Sequence, residues 1–142
     1  MSDPTTDPDV LFGLIDVTAG EPLMDIRLAN HPNMPAAGLR RLAGHEFSAV
    51  RTAVAQNQNS SEATVRELAN DRVWFVRFVA AASPLLSAEE ARVAIKRDTP
   101  VQLLLEEYQD TIPALIHKVG MESFLRNVAV DEHGMAWLQK HT

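Results

Sequence analysis

The chain contains no cysteine among its 142 residues. This absence excludes disulfide bonds, iron–sulfur clusters and zinc sites built on thiolates. Aromatic residues are also scarce, at 6% of the sequence, whereas Ala, Leu and Val supply most of the 46% hydrophobic content. Such small aliphatic side chains suit closely packed helices and suit β-sandwiches poorly. The composition therefore favours an all-α protein, and the length fits a single domain over 1–142.

No apolar run approaches the length that spans a bilayer, and the N-terminal residues are acidic where a signal peptide carries bases. We therefore expect a cytoplasmic protein that does not enter a membrane. The net charge is −6, but residues 40–97 carry nine bases against six acids. Helix faces that differ in charge are the simpler explanation, and an acidic partner that docks on the centre is the alternative.

An internal repeat with an offset of 26 residues is the most informative feature of the sequence. The offset superposes 29–35 on 55–61, and a third copy follows without a gap. The positions that match are Leu39 with Val65 and Ala91, Arg40 with Arg66 and Arg92, Leu42 with Leu68, Val50 with Val76, and Arg51 with Arg77. The sequence thus predicts a degenerate N-terminal cap over 8–28, repeats over about 29–54, 55–80 and 81–106, and a helical C-terminal cap over 107–142.

Each copy is predicted to form two short helices, and Ser87 with Glu90 has the spacing of a capping box at one helix start. Isolated helices shorter than ~12–15 residues are marginal in water, so neighbouring copies must bury each other's apolar faces. This pattern predicts a short solenoid. Outside the copies, the sequence predicts a helix over 8–16 and a helix that starts at Asp98-Thr99-Pro100 and runs through Tyr108. It also predicts a helix from Asp110 to about Val128, a turn over 131–134, and a helix from Met135 to Lys140.

Segments such as Asn30-His31-Pro32-Asn33-Met34-Pro35 and Val50-Arg51-Thr52-Ala53-Val54-Ala55 resemble the leucine-rich repeat variant family. Units of that family run asparagine–proline, a proline, leucines, Leu-Ala, then Val-Arg and Ala-Val-Ala. The resemblance covers about residues 25–103 and implies a right-handed superhelix of α-helices that alternate with 3₁₀ or short helical segments. HEAT-type repeats are similar and imply nearly the same architecture. The iron–sulfur cluster known in the leucine-rich repeat variant family does not transfer, because this chain lacks cysteine.

Three arginines at one repeat position, Arg40, Arg66 and Arg92, are candidates for partner binding. They would form a ladder of positive charge that tracks phosphates or a carboxylate-rich partner. Alternatively, they are solvated helix residues neutralised by nearby glutamates such as Glu62, and the density of acids in the same helices favours this interpretation. Arg77 lies six residues after Asp71, a spacing that links neighbouring units in HEAT-like repeats.

The second copy places Trp74, Arg77 and Phe78 on one helical face, where the first copy has smaller residues. Tryptophan, arginine and phenylalanine together are typical of an interface hot spot. Apolar stripes at helical spacing are more often core, so this face has a structural interpretation as well.

The sequence predicts no catalytic, cofactor-binding or metal-binding residues, since the five histidines are scattered and no nucleophile or phosphate-loop pattern is present. We therefore expect a non-enzymatic module that binds another protein, with no cofactor. The alternative is a HEAT-like protein that binds nucleic acid through the arginine ladder. The acidic net charge argues against that alternative.

Overall fold

A computed structural model describes residues 7–95, 99–100, 110–129 and 132–141. Ten helices form within these ranges and supply nearly all of their regular secondary structure, which confirms the predicted all-α class. The chain divides into two compact units, Met1–Leu68 and Ala69–Thr142. The boundary between the units falls inside the second predicted repeat.

The first unit is a packed set of short helices. Its described residues form α1 (Pro8–Val17), α2 (Pro22–Asn30), α3 (Ala36–Leu42), α4 (Ser48–Gln56) and α5 (Glu62–Leu68). Helix α1 begins where the sequence predicts, because Asp7 Oδ1 accepts a hydrogen bond from Asp9 N at 2.8 Å and Pro8 occupies the first helical position. Helix α2 packs against α4, and α3 packs against both α1 and α4.

The second unit is also built from short helices. Its described residues form α6 (Trp74–Ala81), α7 (Ala88–Ala94), α8 (Thr111–Val119), α9 (Met121–Asn127) and α10 (Glu132–His141). A two-residue strand β1 (Thr99–Pro100) pairs in parallel with β2 (Val128–Ala129). Helix α7 packs against α6 and α8, and α9 packs against α7 and α8.

The internal repeat is visible in the helix bounds. Helices α2, α4 and α6 begin at residues 22, 48 and 74, and helices α3, α5 and α7 span 36–42, 62–68 and 88–94. Equivalent apolar positions are buried in successive copies, including the matched residues Leu42 and Leu68. The buried sets are Leu28, Val54 and Ala80; Leu39, Val65 and Ala91; Leu42, Leu68 and Ala94; and Val50 and Val76. The offset therefore governs burial as well as helix position.

A turn with the same side-chain contact follows α2, α4 and α6. In the first copy His31 Nδ1 accepts a hydrogen bond from Asn33 N at 3.0 Å. Its counterparts are Asn57 Oδ1, which accepts from Asn59 N at 2.9 Å, and Ser83 Oγ, which accepts from the backbone two residues later at 3.3 Å. Histidine, asparagine and serine can replace one another here because each side chain has an acceptor atom that can bind the backbone N–H two residues later.

An arginine closes the loop before α4 and before α6. Arg51 Nη1 donates to His45 O at 2.8 Å and to Glu46 O at 3.1 Å. Arg77 Nη1 donates to Asp71 O at 2.7 Å, which is the same reach of six residues. Arg77 and Asp71 are thus hydrogen-bonded as their spacing predicts, but the acceptor is the main-chain carbonyl and the bond closes a loop within one copy.

Three local predictions are wrong in the C-terminal part. The helix expected from Asp110 to about Val128 is two helices, because Gly120 adopts a φ of +88° that ends α8. The turn expected over 131–134 is helical from Glu132. A helix was expected to start at Asp98-Thr99-Pro100, but Thr99 and Pro100 form β1 and pair with β2. The remainder of that predicted helix, through Tyr108, lies outside the described residues.

Candidate functional site

The three arginines of the predicted ladder are exposed in their folded units. Arg40, Arg66 and Arg92 occupy the last turn of α3, α5 and α7, where cations suit the negative end of the helix dipole. Arg66 forms an i,i+4 ion pair with Glu62 on the same helix face. The predicted neutralisation by neighbouring glutamates is therefore confirmed for Arg66.

Arg77 of α6 is partly buried and binds main-chain carbonyls of the second unit. Its guanidinium donates to Asp71 O, and its Nε donates to Ala94 O at 3.3 Å, so it ties α6 to the end of α7. A guanidinium that is engaged with two main-chain carbonyls holds its helix in place. The assignment of Arg77 to a partner-binding face stays a prediction.

Phe78 lies in the core of the second unit. Its side chain is 1% exposed and meets the ring of Phe124 edge-on, with 6.5 Å between centroids. The expectation that Phe78 shares an accessible face with Trp74 does not fit this burial. Five of the eight residues in α6 are buried. Phe78 belongs to this buried majority, although Trp74, four residues earlier on the same helical face, is partly exposed.

Trp74 lies at the first position of α6 and is partly exposed, as is the adjacent Phe75. The two rings pack edge to face, with 5.5 Å between their centroids. The equivalent residues at the start of α4 are Ser48 and Ala49. The helix start therefore does not need aromatic side chains, and Phe75, which was not among the predicted site residues, belongs with Trp74. We call these two residues the aromatic pair.

A buried carboxylate in the first unit was not predicted from the sequence. Asp25 is 1% exposed and accepts hydrogen bonds from Thr18 Oγ1 at 2.6 Å and from His45 Nε2 at 2.8 Å. His45 Nδ1 accepts from Phe47 N at 3.0 Å, which fixes the proton of the neutral ring on Nε2. Both ring nitrogens are thereby engaged. This arrangement ties the turn after α1 to the start of α4 and leaves no ring nitrogen free to act as a base.

A cleft of about 280 Å³ opens on the first unit between two successive copies of the repeat turn. Five of the six residues that line it carry carboxamides. We call it the amide cleft, and its lining is Asn30, Pro32, Gln56, Asn57, Gln58 and Asn59. Asn57 Nδ2 donates to Ala29 O at 2.8 Å and to His31 O at 2.9 Å, and Asn59 Nδ2 donates to Pro32 O and Met34 O. These contacts fasten the second turn to the first.

A groove of about 490 Å³ lies on the second unit, lined by Pro113, Ala114, Ile116, His117 and His141. The ring of His141 stacks on Trp137 with 4.2 Å between centroids, and its Nδ1 lies 2.8 Å from Trp137 O. Within the described ranges no group of three histidine, aspartate or glutamate side chains has an arrangement that could hold a metal ion.

Lys118 of α8 donates hydrogen bonds to the main chain of the third repeat turn, at the positions where Asn57 donates to the first repeat turn. Its Nζ donates to Ala81 O at 2.9 Å and to Ser83 O, the carbonyls equivalent to Ala29 O and His31 O. Partial burial lowers the pKa of the Lys118 ammonium, against an opposing attraction from Glu90. Lys118 therefore makes the two hydrogen bonds that an asparagine of a following repeat would make at this turn.

The chain matches no known protein family, no curated protein and no solved structure. Among the described residues no helix is both long and apolar enough to cross a bilayer. The likeness to leucine-rich repeat variant and HEAT-type units thus stays a prediction from the sequence.

Proposed function

We propose that this chain is a non-enzymatic helical-repeat module that binds another protein, and that its copies stack as a short right-handed solenoid. In a solenoid each repeat contacts its sequence neighbour. The packing of α2 on α4 and the reach of Asn57 back to Ala29 O and His31 O support this arrangement within the first unit. Repeat proteins of this kind commonly present extended surfaces to other macromolecules.

The aromatic pair is the observation that carries the proposal. Trp74 and Phe75 replace Ser48 and Ala49 at an equivalent helix start, although the repeat frame around both starts is the same. Partly exposed tryptophan is among the residue types that contribute most to interfaces, since it offers a large contact area and loses little conformational freedom on binding. The aromatic pair is therefore larger than the repeat frame requires at this helix start, and part of its surface stays accessible.

Affinity capture from a native lysate tests the proposal with a double variant that restores the residues of the first copy. The bait is the full chain, either wild type or with Trp74→Ser and Phe75→Ala. The matched control is Val93→Ser, which removes another exposed apolar side chain from the same unit. We expect the wild type and the control to retain the same protein partner and the double variant to lose it. Equal capture by all three would refute the aromatic pair as the interface.

Nucleic-acid binding is the second candidate, and the exposure of Arg40, Arg66 and Arg92 is the observation in its favour. The acidic net charge of −6 and the pairing of Arg66 with Glu62 argue against it. We expect no complex with duplex or single-stranded DNA at physiological salt in fluorescence anisotropy. A micromolar complex that disappears when the three arginines become alanine would establish this candidate, and its affinity would fall with salt at a log–log slope of about −0.9 per phosphate contacted.

A further inference from the structure

The amide cleft combines fixed carboxamides with unused ones. Asn57 and Asn59 each use both Nδ2 hydrogens on main-chain carbonyls, so their amide groups are held in position. The carboxamides of Asn30, Gln56 and Gln58 are exposed and make no hydrogen bond to any residue that the structure describes. Each of these amides offers two donors and an acceptor. A concave site with several free donor–acceptor pairs can hold a ligand that presents the same pairs.

The lining contains no charged and no aromatic side chain. Phosphates would require basic groups, and unstacked bases would require an aromatic or guanidinium platform. A neutral ligand that alternates N–H donors with C=O acceptors fits the chemistry of the lining. The main chain of an extended polypeptide has that pattern, since each residue other than proline carries one donor and one acceptor.

We infer that the amide cleft binds an extended, uncharged segment of a partner protein by hydrogen bonds to its main chain. The amide cleft lies in the first unit and the aromatic pair lies in the second. The inference therefore agrees with the proposed function in one respect only, namely that the partner is a protein. The two sites can therefore fail independently.

The test uses short peptides without charged residues, with blocked ends, selected from a display library against the full chain. Binding of the selected peptides is measured by titration calorimetry. The double variant Gln56→Ala with Gln58→Ala removes two free carboxamides from the rim of the cleft. We expect it to weaken binding about 5- to 30-fold, because the loss of one neutral hydrogen bond lowers the affinity roughly 5-fold. Gln139→Ala, at an exposed glutamine of α10, is the matched control and should bind as the wild type does.

A second arm replaces main-chain N–H groups of the peptide by N-methyl groups, and we expect binding to be lost. The inference is overturned if no peptide is selected, if the double glutamine variant binds as tightly as the wild type, or if N-methylation has no effect. A short adenine-rich strand that binds in place of the peptides, with the same dependence on Gln56 and Gln58, would overturn it in favour of nucleobase recognition. Peptide binding that survives Trp74→Ser with Phe75→Ala supports an independent site, and binding lost in that variant places the peptide at the aromatic pair instead.

Discussion

Asn57 connects the turn of the second copy to that of the first, and its replacement measures how strongly side-chain contacts hold adjacent copies. Its side chain makes three hydrogen bonds, donating to Ala29 O and His31 O and accepting from Asn59 N. A neutral intramolecular hydrogen bond contributes about 0.5–1.5 kcal/mol net. We therefore expect Asn57→Ala to lower the free energy of unfolding by about 1.5–4.5 kcal/mol, measured by urea titration of the far-ultraviolet circular dichroism.

Two further variants separate hydrogen bonding from other causes of instability. Asn57→Asp keeps the shape and the acceptor of the side chain but places oxygen against two carbonyl oxygens, so it should destabilise at least as much as Asn57→Ala. Gln58→Ala removes an exposed neighbour from the same turn and should change stability by no more than about 0.5 kcal/mol. If Asn57→Ala loses less than about 0.5 kcal/mol, the contacts to the first copy contribute little and the reasoning is refuted.

Three other changes test separate parts of the structure by the same unfolding assay. Leu42→Ala should cost roughly 2–5 kcal/mol because the side chain is fully buried, and a loss under half a kilocalorie would contradict its core position. Ser87→Ala removes the capping box with Glu90 at the start of α7 and should cost about 0.5–2 kcal/mol, whereas an unchanged stability would mean that the box does not contribute. The lowered pKa of Lys118 means that the folded chain releases this proton before the unfolded chain does. The wild type should therefore gain stability relative to Lys118→Met as pH rises toward the usual value of 10.5, and a constant difference would contradict the shift.

The repeat was predictable from the sequence because its determinants are local. A helix follows Pro35, Ser61 and Ser87 at the same offset, and the buried positions within each copy keep helical spacing. The starts of α4 and α6 follow from that offset as well.

The predicted exposure of Phe78 and the predicted single helix over 110–128 are wrong for physical reasons. Whether Phe78 points inward depends on Phe124, which lies far along the chain, and helical periodicity within α6 carries no information about that contact. The break at Gly120 was missed because glycine also occurs within helices, where it only lowers their stability. The contacts of Asp25 with Thr18 and His45 join three separate elements, so they could not be predicted from the residue types alone.

Quenching of tryptophan fluorescence tests the proposed interface most directly. In a Trp137→Phe background the emission comes from Trp74 alone, since the chain has two tryptophans. The account predicts that Trp74 is accessible to acrylamide in the free protein and becomes protected when the captured partner is added. Blue-shifted emission from the free monomer that already resists the quencher, or accessibility that the partner leaves unchanged, would contradict the assignment of the aromatic pair to the interface.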